Sequence, residues 1–250
     1  MACGFVSPES YRHVHNESFT TGELLEYQAH YGFLKIGEGI VDVSPALVTV
    51  NKRVCYMVTL SGKTSGTFDM VYKVRDTWRS FIDTSAVIPQ QFYMNLHENK
   101  YHKEETVYFD HTNKIVRTEE KEQQAREFNI PDHVQDLISG FYYLRTIDFN
   151  QLHPGEIIAI PAFFDKTFYE FKVRYCGKGK VVTKFGKIEA IQLTPIMPAN
   201  GLFKNENAIK LWISDDLNKI PVKVEADMFI GSIELELKKF KGLKHALNIH

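Results

Sequence analysis

The chain has 250 residues, 44% of them apolar and 24% charged, and its 30 basic and 31 acidic residues leave a formal net charge of −1. That length lets a single β domain bury a core without disulfide or metal staples, and the balanced charge leaves no basic footprint for nucleic acid. No stretch approaches the ~18 apolar residues of a membrane-spanning helix, and the first twenty residues lack the apolar run of a signal peptide.

Residues 1–21 show no regular period and read as an N-terminal segment, partly extended. One antiparallel β domain over 22–243 and a C-terminal tail over 244–250 follow. The start, Met1-Ala2-Cys3-Gly4, is compatible with a processed chain in which Cys3 is a lipoprotein acceptor. From Glu23 the dominant signal is period two. Leu25, Tyr27, Ala29 and Tyr31 alternate with Glu26, Gln28 and His30, and Gly32 ends the run. Val54, Tyr56, Val58 and Leu60 repeat the pattern, with Cys55 expected as a buried structural thiol. Ser65–Tyr72 reads as a short helical turn, with Phe68, Val71 and Tyr72 on one face. Alternation in Tyr72–Arg79 puts Arg75 and Asp76 on opposite faces of a strand. Arg75 is expected to point inward, toward a carboxylate such as Asp136 or Glu225, or to bind an anionic headgroup.

Phe92, Met94 and Leu96 form the next alternating run, and the densest polar cluster follows: His97-Glu98, His102, Glu104-Glu105 and Asp110-His111. A turn at Asn99-Lys100 would bring His97 and His102 together, but the spacing matches no zinc motif, so no metal is expected. Arg117–Glu127 mixes both charge signs and reads as a solvated linker or strand end. A helix is predicted over Asp132–Thr146, with Asp132 as N-cap and Gln135 completing a capping box. Val134, Leu137, Ile138, Phe141, Tyr142 and Arg145 follow, and the apolar members share one face of it. Gly140 within it implies close packing or a break. Tyr169 to Tyr175 alternate again, and Asp165 and Asp215-Asp216-Leu217-Asn218 read as turns. The cleanest strands come last, with Ile220, Val222, Val224 and Ala226, then Ile233, Leu235 and Leu237, as the apolar members. Cys55 and Cys176 could pair only if the fold brings them together.

Alternation of this kind means strands with one buried and one wet face, which implies antiparallel pairing. The expected fold is therefore mostly β: a large curved antiparallel sheet, a half-barrel or β-roll, with one main amphipathic helix on its concave side. No nucleophile elbow, phosphate loop or dinucleotide fingerprint is present, and no cofactor is expected.

Several stretches resemble a known family. They are Gly22–Tyr27 through Tyr31-Gly32, Ile36-Gly37-Glu38, Thr64-Ser65-Gly66 through Phe68-Asp69, Lys73–Asp76, Gln135-Asp136 through Phe141–Arg145, and Trp212–Asp216 with Lys219–Val222. Together, over about Gly22 to Leu243, they resemble the domain-of-unknown-function 3108 family of exported bacterial proteins. The Trp-Ile-Ser-Asp-Asp turn with Ile-Pro-Val is also similar to a hairpin in envelope lipoprotein carriers, unclosed half-barrels that hold acyl chains under helical lids. The resemblance implies export to the periplasm or cell envelope and transfers no catalytic residue. The function expected is a non-enzymatic binding or carrier module for an apolar or amphipathic envelope molecule, a lipid or a lipoprotein acyl chain. Trp78, Phe141, Tyr142, Tyr143 and Arg75 are its candidate ligand-binding residues. Two other functions compete: an interaction module that adds a strand to an envelope protein through a free sheet edge, and a hydrolase of envelope glycan or lipid using the His97–His111 region or paired carboxylates.

Overall fold

A computed structural model describes residues 11–196, 205–229 and 231–249; Cys3 lies outside them. Each alternating run becomes a strand, and the strands join into one antiparallel sheet of fifteen. In chain order they are β1 (Leu24–Tyr31), β2 (Leu34–Val43), β3 (Val48–Val50), β4 (Arg53–Thr64), β5 (Arg75–Asp83), β6 (Pro89–Glu98), β7 (Tyr101–Asp110), β8 (Ile115–Glu120) and β9 (Arg126–Asn129). There follow β10 (Ile157–Phe164), β11 (Thr167–Thr183), β12 (Gly186–Ile196), β13 (Ile209–Ser214), β14 (Pro221–Asp227) and β15 (Ser232–Lys241). Among the described residues two helices interrupt them, α1 (Phe68–Val71) and α2 (Leu137–Leu144), and a 3-10 turn spans Phe149–Gln151.

Strands consecutive in the chain lie side by side, with two exceptions. The short β3 pairs only with β4, so β2 also pairs with β4 directly. β9 and β10 share no ladder and form the two ends of the sheet, while β15 pairs with β1. The sheet is therefore not closed into a barrel, and its opening lies mid-chain, where the connection carrying α2 crosses. Three kinds of contact span this seam. The Gln135 amide donates to the Pro161 carbonyl and the Phe163 amide to the Gln135 carbonyl, both at 2.8 Å. Phe128 packs on Phe163 with ring centroids 5.3 Å apart. Lys103 pairs with Asp165 at 2.8 Å, and Lys166 pairs with Glu120.

Because the strands alternate in direction, their connections fall on two rims. The β1–β2, β6–β7, β8–β9, β10–β11 and β14–β15 turns share one rim with α1. The β2–β4, β5–β6, β7–β8, β11–β12 and β13–β14 connections share the other with the α2 crossover. At the β10–β11 turn Asp165 and Lys166 both have positive φ, 47° and 60°, which matches the right-handed twist of a tight hairpin. The core occupies the concave side. Val58, Ile82, Val116, Val134 and Tyr142 lie in its first apolar cluster, Val173, Leu193 and Ile213 in the second, and Leu25, Ile188 and Val222 in the third. The N-terminal segment packs against the α2 rim: Arg12 donates to the carbonyls of Ala86 and Val87, and the Phe19 ring is buried.

Four sequence expectations are corrected or decided here. The helix starts at Leu137 rather than near Asp132, and Asp136 is its N-cap, with Ser139 completing the capping box. Asp132 instead points outward to Lys114, His133 takes a φ of 59° that no helix tolerates, and the Gln135 backbone is committed to β10. Gly140 marks close packing, since a Cβ there would meet the Gln135 side chain at 3.4 Å. Arg75 does not point inward; it is exposed and grips Asp69 of α1 with two bonds of 2.7 and 3.0 Å. That arrangement holds the Asp69 carboxyl down at about 2. Cys55 and Cys176 are both free thiols, and burial pushes that of Cys55 up to about 12.

Candidate functional site

The concave face divides into a filled end and a more open end. Toward the α2 rim it is filled. Asp136 accepts the Ser80 hydroxyl at 2.6 Å, which pins the start of α2 to β5. Its carboxylate also accepts the amides of Ile138 and Ser139, yet complete burial outweighs these donors and raises the group to about 6. One turn on, the Tyr142 hydroxyl donates to Glu23 at 3.2 Å, and the Arg145 guanidinium takes both Glu23 oxygens at 2.6 Å. Arg145 also donates to the carbonyls of Ser18 and Asn218, so no part of it lacks a partner. Burial works against its charge, but the Glu23 carboxylate outweighs that and holds Arg145 above the ordinary guanidinium value. The sequence reading missed this pair. Its one visible signal was Arg145 itself, placed on the apolar face of the predicted helix, where a cation needs a buried acid.

Toward the α1 rim the concave face changes character. Cross-strand register sets Val41, Leu60, Trp78 and Met94 in a continuous inward row over β2, β4, β5 and β6. The next row is Tyr27, Gly39, Gly62 and Asp76, so its middle has no side chains. A Cβ at Gly62 would first meet the Trp78 ring at 4.0 Å, and one at Gly39 would meet nothing nearer than 3.9 Å. The apolar side chains around this floor, Leu60, Trp78, Leu96, Phe171, Val224 and Leu235, are only half-buried, in contrast to the sealed residues beside α2. Two groups with titratable side chains edge the floor. Asp76 is buried and accepts the His97 amide at 3.0 Å, and burial together with Glu98 raises its carboxyl. Glu105 is also buried, with one oxygen 3.4 Å from Lys103 and the other without a hydrogen-bond partner.

The structure places the five sequence candidates differently. Trp78 lies in the half-buried row. Phe141 and Tyr143 are half-buried on α2, packed against the apolar clusters, and the Arg12 guanidinium sits 4.3 Å over the Tyr143 ring. Tyr142 is 1% exposed and locked to Glu23, sealed in the core at α2 rather than in the half-buried row. Arg75 stands on the outer side of the α1 rim. The His97–His111 region is split. The β6–β7 hairpin sets His97 and His102 opposite each other, Nδ1 to Nδ1 at 2.9 Å on the surface, while His111 sits at the other rim, bonded to the Pro89 carbonyl. Among the described residues no three His, Cys, Asp or Glu side chains gather in a set that could hold a metal. Asp215 and Asp216 shape the β13–β14 turn, Asp216 accepting from Ser214 and the amides of Asn218 and Lys219.

Comparison with known proteins gives the fold a setting. No curated protein matches the chain. Among solved structures, the β-barrel-like protein of domain of unknown function DUF1849 from Brucella abortus superposes with a TM-score of 0.58 at 10% identity, covering 93% of this chain and 99% of its own. A candidate lipoprotein from Parabacteroides distasonis gives 0.37 at 10% identity, over 93% of this chain and 100% of its own. A candidate exported protein with a YmcC-like fold from Bacteroides fragilis gives 0.33 at 10% identity, over 92% and 99%. The first of these shares the architecture of the half-closed sheet. Residues 26–238 match the family described as protein of unknown function (DUF3108), and the chain belongs to that family.

Proposed function

We propose that this protein is a non-enzymatic binding or carrier module for an apolar or amphipathic molecule, a lipid or a lipoprotein acyl chain, working as an exported protein of the bacterial cell envelope. One observation carries the reading: beyond α2 the concave face keeps a half-buried apolar row around Trp78 over a floor of glycines, instead of the sealed packing found beside the helix. Grooves that bind small apolar ligands are concave, mostly apolar and edged by a few polar groups. Here Trp78, Phe141 and Tyr143 supply the walls, Tyr142 braces the helix behind them, and Asp76 and Glu105 are the polar edge. Arg75, on the outer side of the α1 rim and paired with Asp69, is a candidate for a headgroup. Export is supported by the sequence resemblance alone. Strand addition has less to use: β9 has four residues, and Gln135 already occupies part of the β10 edge.

Native mass spectrometry of the purified protein, followed by organic extraction, tests this. The expected result is a co-purifying lipid, or uptake of one from a panel of phospholipids and acylated peptides. Gly62→Leu, whose side chain would extend over the Trp78 ring, is expected to fold with an unchanged melting temperature and lose the bound molecule. A bare mass with no uptake by the wild-type protein overturns the reading.

A further inference from the structure

Exposed apolar side chains are unevenly shared between the two rims. On the α2 rim they are all aliphatic: Leu47, Val54, Leu137, Ile157, Val182, Leu217 and Ile249. Every exposed aromatic side chain among the described residues lies on the α1 rim. Tyr31, Phe33, Phe68, Tyr72, Tyr101 and Phe229 follow one another around an arc of adjacent loops. The arc is continuous. The Tyr31 ring packs against Gly231 of the β14–β15 turn, Ser65 donates to the Ile36 carbonyl, and Lys73 and Asn99 exchange two hydrogen bonds between the α1 loop and the β6–β7 hairpin. Phe168 and Tyr169 continue it across the seam, where Asp165 reaches Lys103.

Four strongly exposed apolar residues stand on three loops of this rim: Phe33 at 92%, Met70 at 88% and Val71 at 79% together on α1, and Phe229 at 63% exposure. Between them Lys35, Lys73 and Lys100 enter no ion pair with any described residue, while Glu98 accepts the Tyr72 hydroxyl and Asp227 lies 3.9 Å from Lys210. Asp69 is neutralised by Arg75, and Glu38 by Lys63 and Lys238. Contiguous exposed apolar surface of this kind marks a contact site. Its shape and charge select the contact. Apolar points on three separate tips offer no flat face to a rigid partner, but a fluid surface takes each point independently. Tyrosines behind the tips suit headgroup depth, and unpaired lysines among them suit anionic lipid.

We infer that the α1 rim seats on a phospholipid surface containing anionic lipid. Phe33, Met70, Val71 and Phe229 enter the acyl boundary, and Lys35, Lys73 and Lys100 meet the headgroups. The inference goes beyond the carrier reading and does not need the groove to be filled. The half-buried row around Trp78 and its glycine floor lie toward this same rim, so the seated protein would turn that end of the sheet to the bilayer.

Flotation with vesicles of phosphatidylcholine alone, and of phosphatidylcholine with phosphatidylglycerol, tests it. The wild-type protein is expected to float with the anionic vesicles, and less so with neutral ones or at high salt. Phe33→Ser with Met70→Ser should weaken binding by about tenfold per side chain, as loss of a buried apolar group does. Both positions are almost fully exposed, so the variant should fold. Val182→Ser with Leu217→Ser, on the α2 rim, should float as the wild type. Gly62→Leu should also float, which separates this inference from the carrier reading. A wild-type protein that floats with neither vesicle overturns it. So does a Phe33→Ser/Met70→Ser variant that floats as well as the wild type. Self-association that depends on Phe33 and Met70 without flotation overturns it too, and assigns the rim to a protein contact.

Discussion

Glu23 and Arg145 meet across 122 positions of chain, and each side chain is fully buried. The pair draws three parts of the molecule to one point: Ser18 of the N-terminal segment, Asn218 of the β13–β14 turn and the C-terminal end of α2. A buried, bidentate pair of this kind is neutral or costly beside an apolar substitute, but breaking it from one side leaves an uncompensated charge. Glu23→Gln is therefore expected to lower unfolding free energy by about 3–5 kcal/mol in urea denaturation. Glu23→Leu combined with Arg145→Met should recover most of that. A loss below about 1 kcal/mol from the single change would mean that water reaches the guanidinium, as at an exposed pair. At this scale the sequence showed the cation and not its partner. Glu23 precedes the first alternating residues and carries no local mark of burial, whereas Arg145 breaks an apolar face.

Among the elements, α2 was the most legible and its start the least. Asp132 with Gln135 and Asp136 with Ser139 are both plausible capping boxes, and helical period alone favours the earlier one. The choice falls to Asp136 because Gln135 lends its backbone to the edge of β10. Asp136 is then buried under Ser80 as well as capping the helix, which gives it a pH signature. Its carboxyl titrates at about 6 in the folded protein against 3.8 ordinarily. Between these values the folded state binds more protons than the unfolded state, so stability falls as pH rises. The full contribution is about 3 kcal/mol, present below the lower value and lost above the upper one. Asp136→Asn keeps an acceptor for the Ile138 and Ser139 amides and cannot titrate. The wild-type minus variant stability difference should slope downward between about pH 4 and 6 and be level above. A level difference throughout would show that the three donors keep the carboxylate ionised despite its burial. In α1 the lesson is the reverse. Its helical turn was legible, but Met70 and Val71 face solvent, because the strand ladder from β4 to β5 carries the turn past the end of the sheet.

For the whole molecule, the decisive feature is where the sheet fails to close. Long ladders join every sequential pair from β4 to β8 and from β10 to β15, and β15 to β1 ties the two ends of the domain. The seam between β9 and β10 has two backbone hydrogen bonds through Gln135, one aromatic contact and ion pairs near the surface, each of the latter worth about 0–1 kcal/mol. Local opening should therefore begin there. In native-state hydrogen exchange the amides of Gln135 and Phe163 are expected to exchange faster than those of β4 and β5. Equal protection would show that the seam belongs to the same cooperative unit as the ladders.

The sequence by itself determined the strand faces, most of the turns, the one substantial helix and the mostly antiparallel class, because side-chain period and turn chemistry are local properties. The Asp215–Asn218 turn and the His97–His102 pairing followed from the same local rules. Only the tertiary structure decided that Arg75 turns outward to Asp69, that Arg145 finds Glu23, and that the last strand, β15, pairs with the free side of β1. It alone shows which end of the concave face α2 seals and which end stays half-buried over Gly39 and Gly62. Each of these depends on groups far apart in the chain or on which face a helix covers, and no period within one segment encodes that.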